Sequence, residues 1–495
     1  MNAKPMRTVT VIVGAAIALG SAAVLARPQA APPQSQAVVI KGRAPVSTEV
    51  LKLTLPRPAE VDLGNGLHLM VLEDRRAPQV SFQLLMKGAG GFFDPADTPG
   101  LASITGTMMR EGTTTRNTQQ ISELLETIGA TVGVTGGGFS GTNAAISGSS
   151  LTEHFDVTFG LAADILLHPT FPKDELDRYK TRTKAGLIQQ RSQSAFLASE
   201  MFSRIVFGNH PASRIALTVE TLDKVTSESL ASFHKTHYVP DHAVLAIAGD
   251  VSMAEARKII EPKLAEWKKA GTTIPAVTDP PGLSPGHVYF VARPNSVQTS
   301  LYVGTQAVSR TSPEFDVLQV MNAVIGQGPT GRLFTHLREE KGYTYGAYSN
   351  VSQTPFRGTW LATTDVRTEV TEPALKDLLA EITRMRDEAV PQKEFDDQRR
   401  GIIAQFALSL EQPTTVLNQH VTRWVYGLPV DYWDKVPERT MAVTQAQVQA
   451  AAKKYLDPAR LQIVAVGDPT KVAELLKKFG TVETFDTNGK KTGGN

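Results

Sequence analysis

The alternation of apolar and polar residues predicts the same series of elements twice along the chain. Residues 225–250 and 443–468 each have, in second place, a threonine suited to cap a helix. Each continues with apolar residues at helical spacing, passes a Pro-containing turn, and ends in an apolar strand followed by Gly-Asp. In the second copy, Thr444 and Gln447 form the pattern of a capping box. Agreement over this length indicates an internal duplication.

Earlier parts of the two halves correspond as well. Residues 77–88 alternate like a strand and match residues 296–306, and predicted helices at 172–193 and 391–410 each follow a proline. Residues 271–286 are rich in Pro and Gly, as in a linker. The chain is therefore predicted to contain two similar α+β domains, each an antiparallel sheet with helices packed on one face.

These patterns divide the 495 residues into six segments. In order they are a signal peptide or uncleaved anchor at 1–26, a disordered tether at 27–47, an N-terminal domain at 48–270, the linker at 271–286, a C-terminal domain at 287–485, and a disordered tail at 486–495.

The N-terminus has the features of an export signal. Lys4 and Arg7 precede an uncharged run at 8–26 that ends in Val24-Leu25-Ala26, a small-residue cleavage pattern. Cleavage would release the protein into a bacterial periplasm. An uncleaved inner-membrane anchor is the alternative, and only in that case is contact with a membrane expected.

Composition narrows the function further. The 51 basic and 49 acidic residues nearly balance, so nothing in the charge favours a nucleic-acid partner. Cysteine is absent, which excludes disulfides, thiolate nucleophiles and Cys-based zinc sites.

The most informative stretch is 326–349, GQGPTGRLFTHLREEKGYTYGAYS. Arg338 offers a rigid fork of donors, and Tyr345 offers one hydroxyl on a stiff ring, so the two can converge on one bound backbone. A plainer interpretation is also open: Arg338 on an ordinary surface helix beside two glutamates, Tyr345 as a core aromatic, and the Gly-rich run as a simple loop. That run lacks the Gly-Lys-Ser/Thr ending of a phosphate loop.

Several motifs in a fixed order carry a family resemblance, and their positions are 62–67 (DLGNGL), 100–102 (GLA), 111–113 (EGT), the two Gly-Asp strand ends and 326–349. Over residues 51–485 the chain resembles the zinc peptidases of family M16, which include insulinase, pitrilysin and the mitochondrial processing peptidase. The resemblance implies two domains of the LuxS/MPP-like metallohydrolase type.

The family's zinc motif is degenerate here. Catalytic members have His-x-x-Glu-His directly after Gly-Leu-Ala, so that two histidines bind zinc and the glutamate activates water. The three corresponding positions are Ser103, Gly106 and Thr107. The later helix that would supply a ligand has no Asp or Glu from 178 to 199. The prediction is that this chain binds no cofactor itself and that zinc resides in a partner subunit.

Two histidines, His234 and His237, lie three residues apart on a predicted helix, but without a nearby carboxylate they are interpreted as structural. The glycine-rich run at 135–141 occupies the place of a peptide-binding edge strand in the family. It is interpreted as a flexible loop because three glycines weaken a strand.

By resemblance, Arg338 and Tyr345 would bind the substrate backbone, and the loop containing Gly326, Gly328 and Gly331 would act as a gate. The expected partner is an M16 homologue with His-x-x-Glu-His, and the expected substrates are unfolded peptides. Two alternatives stay open: a peptidase-like scaffold with no role in proteolysis, and a hydrolase using Ser103, for which no His or Asp is assigned. The sequence also leaves a homodimer open.

Overall fold

The structure is a computed structural model that describes residues 49–494. The predicted signal segment at 1–26 and tether at 27–47 lie outside the described residues. Within the described chain, strands of residues 59–249 form one sheet and strands of residues 288–494 form a second.

The N-terminal sheet has six strands in the order β1-β2-β6-β3-β5-β4. Their bounds are β1 (Ala59–Asp62), β2 (His68–Glu73), β3 (Gln79–Lys87), β4 (Thr131–Thr135), β5 (Asn143–Leu151) and β6 (Ala243–Gly249).

The C-terminal sheet has seven strands in the order β13-β12-β7-β11-β8-β10-β9. Their bounds are β7 (Val288–Ala292), β8 (Gln298–Gln306), β9 (Thr344–Val351), β10 (Thr359–Arg367), β11 (Gln462–Gly467), β12 (Val482–Phe485) and β13 (Lys491–Gly494).

Helices connect the strands of both halves. In the first half they are α1 (Leu101–Met108), α2 (Thr118–Ile128), α3 (Phe155–Leu167), α4 (Lys173–Gln190), α5 (Ser194–Phe207), α6 (Val219–Lys224), α7 (Ser227–His237) and α8 (Met253–Lys263). In the second they are α9 (Phe315–Ile325), α10 (Arg332–Phe334), α11 (Thr371–Asp387), α12 (Gln392–Ser409), α13 (Pro413–Tyr426), α14 (Val436–Ala442), α15 (Gln445–Tyr455) and α16 (Pro469–Leu476). A π-helical segment, Thr335–Glu340, continues α10.

The repeated stretches fold alike, as predicted. The first forms α7 and β6, and the second forms α15 and β11. Thr226 and Thr444 both close capping boxes, and the Thr444 hydroxyl accepts a hydrogen bond from Gln447 N at 3.2 Å. The α+β fold and the duplication of its main elements are thus confirmed.

The sheets differ from the predicted antiparallel arrangement because each is mixed. The repeated strands explain the difference: β6 pairs in parallel with β2, and β11 pairs in parallel with β7. Every residue of β6 and β11 is buried, which is typical of a central strand covered on both faces. A parallel pair needs a long crossover, and the helices before each repeated strand provide it.

Helices cover both faces of each sheet rather than one, because the two halves exchange a helix. Helix α5 of the first half packs on β8 and β11 of the second, where Leu197, Met201 and Phe202 share a buried cluster with Val464 and Val466. Helix α13 of the second half packs on β6 of the first, and buried side chains of these two elements form another cluster. The chain from Val50 onwards therefore forms one compact unit.

The linker runs along the protein surface in fixed contact with both halves. His210 Nε2 lies 2.9 Å from Thr278 O, and Gln306 Nε2 donates to Pro281 O at 2.6 Å. At the other end of the chain, the predicted disordered tail instead contains β13, which pairs antiparallel with β12. The Asp486 carboxylate stabilises the intervening turn by accepting from the backbone N–H groups of Asn488 and Lys490, both at 2.9 Å.

Helices of the described part of the chain are all too short or too polar to cross a membrane.

The helix exchange makes a first prediction. The Phe202 ring packs on β8 so closely that a Cβ at Gly304 would lie 2.7 Å from its Cζ. We expect Phe202→Ala to lower the free energy of unfolding by about 3–5 kcal/mol. Urea denaturation should still show one transition, because both halves share the cluster. The exposed Ile188 provides a control, since Ile188→Ala should change stability by less than about 0.5 kcal/mol. An unchanged midpoint for Phe202→Ala would contradict the proposed role of α5.

Candidate functional site

Helix α1 carries the degenerate zinc positions. It begins after Gly100, whose φ of +97° suits glycine, and the Asp94 carboxylate accepts hydrogen bonds from Gly100 N at 2.6 Å and Ala102 N at 2.8 Å. Burial raises the pKa of Asp94 to about 6, although these two hydrogen bonds oppose the shift. Sequence reasoning missed Asp94, which lies six residues before the N-cap Gly100 and therefore outside the position where a capping residue is sought.

The side chains at these positions do not fit a zinc ion. Ser103 and Thr107 lie one helical turn apart, and the Thr107 hydroxyl donates to Ser103 O at 3.0 Å within the same helix. Neutral hydroxyls are not the ligands that zinc prefers, and Gly106 has no side chain to activate water. Within residues 49–494, no three His, Asp or Glu side chains form a group suited to hold a metal ion.

The position of the missing glutamate is also closed sterically. A Cβ at Gly106 would lie 2.6 Å from Gly136 N and 3.0 Å from the carbonyl carbon of Thr135. The reverse is also true, because a Cβ at Gly136 would overlap Ala102 O. Helix α1 and the loop after β4 therefore touch backbone to backbone. A side chain at position 106 would require this loop to move.

Thr135 is the last residue of β4, and the rest of the glycine-rich run at 135–141 is a loop in the structure. Gly137 and Gly138 have positive φ, and Gly91 approaches the carbonyl oxygen of Gly138 too closely for a side chain. The glycines thus serve close packing against α1 and the segment before it.

The closed position gives a second prediction. Replacing glycine by alanine inside a helix normally stabilises it by up to about 1 kcal/mol. Gly186 of α4 should behave in this way, because a Cβ at this position would meet no neighbouring atom of the described chain within 4 Å. In contrast, Gly106→Ala should destabilise the protein by about 1–3 kcal/mol, because the methyl group meets backbone. Thermal unfolding of both variants measures the difference, and a stabilised Gly106→Ala protein would refute the contact.

Several basic side chains of α4 pair with nearby acids. Arg178 Nη1 donates to Glu175 at 2.7 Å, and Lys184 Nζ lies 2.6 Å from Asp223. Both charges are therefore balanced locally, and α4 carries no Asp or Glu after Asp177.

The two histidines of α7 contact backbone rather than each other. His234 Nε2 lies 2.7 Å from Leu166 O, and His237 Nδ1 lies 2.7 Å from Gly88 O. Burial lowers the pKa of both rings. These contacts agree with a structural role.

The glycine-rich loop at 326–331 is fixed at its ends and open at its tip. Gly326 O accepts a hydrogen bond from Ser349 N at 2.8 Å, and a Cβ at Gly326 would lie 2.7 Å from Ser349 Oγ. A Cβ at Gly331 would lie 2.7 Å from the Cα of Gly326. Around Gly328 no other described residue comes within 4 Å of a Cβ. Movement as a gate, which stays a prediction, would thus be confined to the tip.

Arg338 lies on the π-helical segment with its side chain partly exposed. Its guanidinium carbon is 4.8 Å from the centre of the Phe334 ring, and Nη1 donates to Glu339 at 2.8 Å. The ion pair is exposed and therefore weak, so a ligand can replace Glu339 at little cost.

Tyr345 is 90% exposed, which excludes the core-aromatic interpretation. It belongs to a β-bulge, where Tyr345 and Gly346 together oppose Asp365 of β10. The Thr344 hydroxyl donates to Asp365 O at 2.7 Å and stabilises the bulge. The bulge brings the tyrosine hydroxyl into solvent, where it is available to a ligand.

A polar network that the sequence did not reveal anchors the π-helical segment. His336 Nδ1 lies 2.9 Å from Glu381 Oε1 of α11, and Arg332 donates to Glu394 of α12 at 2.7 Å. Leu337 is fully buried between these contacts. The segment is therefore held from both sides while Arg338 stays at the surface. Segments of π-helix occur frequently at functional sites.

Comparison with known proteins identifies the family. The model described as "Insulinase (Peptidase family M16)" matches residues 69–218, and the model described as "Peptidase M16 inactive domain" matches residues 224–402. The two models together span well over half of the chain. The chain belongs to peptidase family M16.

The descriptions of similar proteins include both zinc proteases and a non-peptidase homologue. The "Uncharacterized zinc protease YmxG" of Bacillus subtilis is 22% identical over 361 residues, covering 72% of this chain and 85% of the relative. The "Non-peptidase homolog YmxG" of Helicobacter pylori is 23% identical over 374 residues, covering 73% and 82%.

Solved structures agree with the fold. The crystal structure of a peptidase M16 inactive domain from Pseudomonas fluorescens matches with a TM-score of 0.75 and 26% identity, covering 83% of this chain and 98% of that one. A protease from Helicobacter pylori matches with a TM-score of 0.76 over 83% of this chain and 100% of its own; at 15% identity this likeness shows the fold alone.

Proposed function

We propose that this chain is a non-catalytic, substrate-positioning subunit of a periplasmic M16 metallopeptidase heterodimer. The zinc ion is supplied by a homologous partner that carries His-x-x-Glu-His, and the substrates are unfolded peptides. The observation that carries the proposal is the closed position at Gly106, where a water-activating glutamate has no room beside Gly136.

The second support is the chemistry of the exposed pair. The Arg338 guanidinium can donate two parallel hydrogen bonds, and the Tyr345 hydroxyl can donate one. Donors of this kind orient a peptide carbonyl and stabilise the negative charge that develops on its oxygen during hydrolysis. Neither residue supplies a nucleophile or a metal ligand, so the proposal assigns the bond-breaking step to the partner subunit.

The relatives' descriptions include both zinc proteases and a non-peptidase homologue, and one matching model is described as an inactive domain. The residues at the zinc-motif positions of this chain favour a homologue without its own peptidase activity. The periplasmic location rests on Lys4, Arg7 and the uncharged run at 8–26.

Reconstitution tests the proposal. The mature chain is purified alone and together with an M16 homologue bearing the zinc motif, and hydrolysis of an unstructured fluorogenic peptide is measured. We expect activity only from the pair, with loss on chelation. Arg338→Ala or Tyr345→Phe in this chain should lower the pair's kcat/KM by about tenfold to a hundredfold.

Two outcomes would decide against it. Chelator-sensitive hydrolysis by the chain alone would show that it is itself a zinc peptidase. Full activity of a pair carrying Arg338→Ala or Tyr345→Phe would favour the scaffold alternative. Ile188→Ala, at an exposed position of α4, serves as the matched control and should leave the pair's activity unchanged.

The closed site makes a further prediction about zinc. Restoring the motif in sequence by combining Ser103→His, Gly106→Glu and Thr107→His should not restore a zinc site. The new glutamate would meet the backbone of Gly136, and α4 still offers no carboxylate from residue 178 onwards. We expect well under one bound zinc per chain by metal analysis after dialysis, together with a lowered Tm. One equivalent of bound zinc in a stably folded triple variant would contradict the steric argument.

A further inference from the structure

A further aromatic residue lies on the same strand as Tyr345, and the proposed function gives it no role. Tyr348 of β9 is 43% exposed, and its ring lies across the backbone of Gly346. A Cβ at Gly346 would be 2.5 Å from Cε2 of Tyr348 and 3.1 Å from its hydroxyl oxygen. Glycine at 346 is therefore what allows the ring to lie flat on the strand.

The Tyr348 ring belongs to a chain of side-chain contacts that leads from Arg338 towards Tyr345. The ring centres of Tyr348 and Phe334 are 5.5 Å apart, and Phe334 is only 6% exposed. The Arg338 guanidinium also lies over Phe334. The order of contacts is thus Arg338, Phe334, Tyr348 and Gly346, and Tyr345 follows as the chain neighbour of Gly346.

The exchanged helix leaves this surface open. Thr363 of β10 pairs with Tyr302 of β8 on one side and with Tyr348 on the other, so the three side chains share one face of the sheet. The Tyr302 hydroxyl donates to Ala195 O at 3.3 Å, so α5 covers the face at β8. Beyond β8 the face is exposed at Tyr348.

We propose that Tyr348, Phe334 and Gly346 form an aromatic shelf that binds a large apolar side chain of the peptide held by Arg338 and Tyr345. This inference rests on the proposed function and specifies its substrate class: extended peptides with an aromatic or large aliphatic residue near the held carbonyl. Tyr345 and Tyr348 are three strand positions apart, a span of roughly 10 Å. The bound side chain therefore belongs to a residue within about three positions of that carbonyl.

The charge beside the shelf determines which side chains it prefers. An aromatic ring gains from offset or edge-on packing against Tyr348, and an aliphatic side chain gains from burial. A lysine would gain from the electron-rich ring but would be repelled by the Arg338 guanidinium, which already lies over Phe334. The expected order of preference is Phe and Leu above Ala, with Lys no better than Ala.

Peptide binding by the full mature chain tests the shelf. Four fluorescent, unstructured decapeptides that differ at one central residue (Phe, Leu, Ala or Lys) are titrated by anisotropy. We expect the wild-type chain to bind the Phe and Leu peptides about tenfold more tightly than the Ala peptide. In Tyr348→Ala the Phe-to-Ala ratio of Kd values should approach one, whereas Tyr348→Phe should keep the preference because the hydroxyl is not needed. Val297→Ala, exposed in the same half, is the control and should keep the ratio.

The same titrations separate the shelf from the proposed function. Arg338→Ala and Tyr345→Phe should weaken all four peptides by a similar factor, because they hold the backbone. If these two variants bind every peptide as well as the wild type does, the proposed function fails. If they weaken binding but Tyr348→Ala keeps the wild-type Phe-to-Ala ratio, the shelf is wrong and Tyr348 only shields Phe334. Equal affinity of the wild type for all four peptides overturns the shelf, and no measurable binding overturns both.

Discussion

The exchange of one helix between the two halves is the contact on which the rest of the structure depends. A sheet that carries its own helices on one face must still bury the apolar side chains of its other face. Here α5 provides that cover for the C-terminal sheet and α13 provides it for the N-terminal sheet. Neither half can bury both faces of its sheet alone. The duplication therefore produces one cooperative unit from Val50 onwards rather than two independent domains.

This arrangement also decides which surfaces remain for binding. Helix α5 packs on β8 and β11, inner strands of the C-terminal sheet, and has no comparable packing on the edge strand β9. Exposed polar or aromatic side chains on that strand are consequently not needed for the core. Tyr345, at 90% exposure, contributes little to the burial of apolar surface, and the bulge that presents it weakens the local ladder. A surface of this composition is better suited to recognition than to folding.

Local signals in the sequence predicted the local parts of the fold. The capping threonines, the alternating strands and the prolines before α4 and α12 all act over a few residues, and each element formed where it was expected. The parallel pairs and the helix exchange depend on contacts between residues far apart in sequence. Nothing within α5 itself distinguishes the sheet of its own half from that of the other. The tail was misjudged for the same reason, since its polar residues form β13 only because β12 provides a partner.

The candidate site likewise has features that the local sequence predicts and features that depend on contacts between distant residues. The sequence revealed which ligands are missing at Ser103, Gly106 and Thr107, because side-chain identity decides metal chemistry. It did not reveal that Gly106 and Gly136 touch, because the three glycines after Thr135 were interpreted as flexible rather than as a means of close approach. Because of this contact, the position of the missing glutamate is also sterically closed. Each glycine makes room for the backbone of the opposite segment, so a side chain at either position requires one of the two segments to move. The degenerate site is therefore a packed part of the first half, whereas Arg338 and Tyr345 remain at the surface of the second. This contrast between a packed degenerate site and an exposed Arg/Tyr pair is the physical basis for proposing that the chain holds a peptide while another protein hydrolyses it.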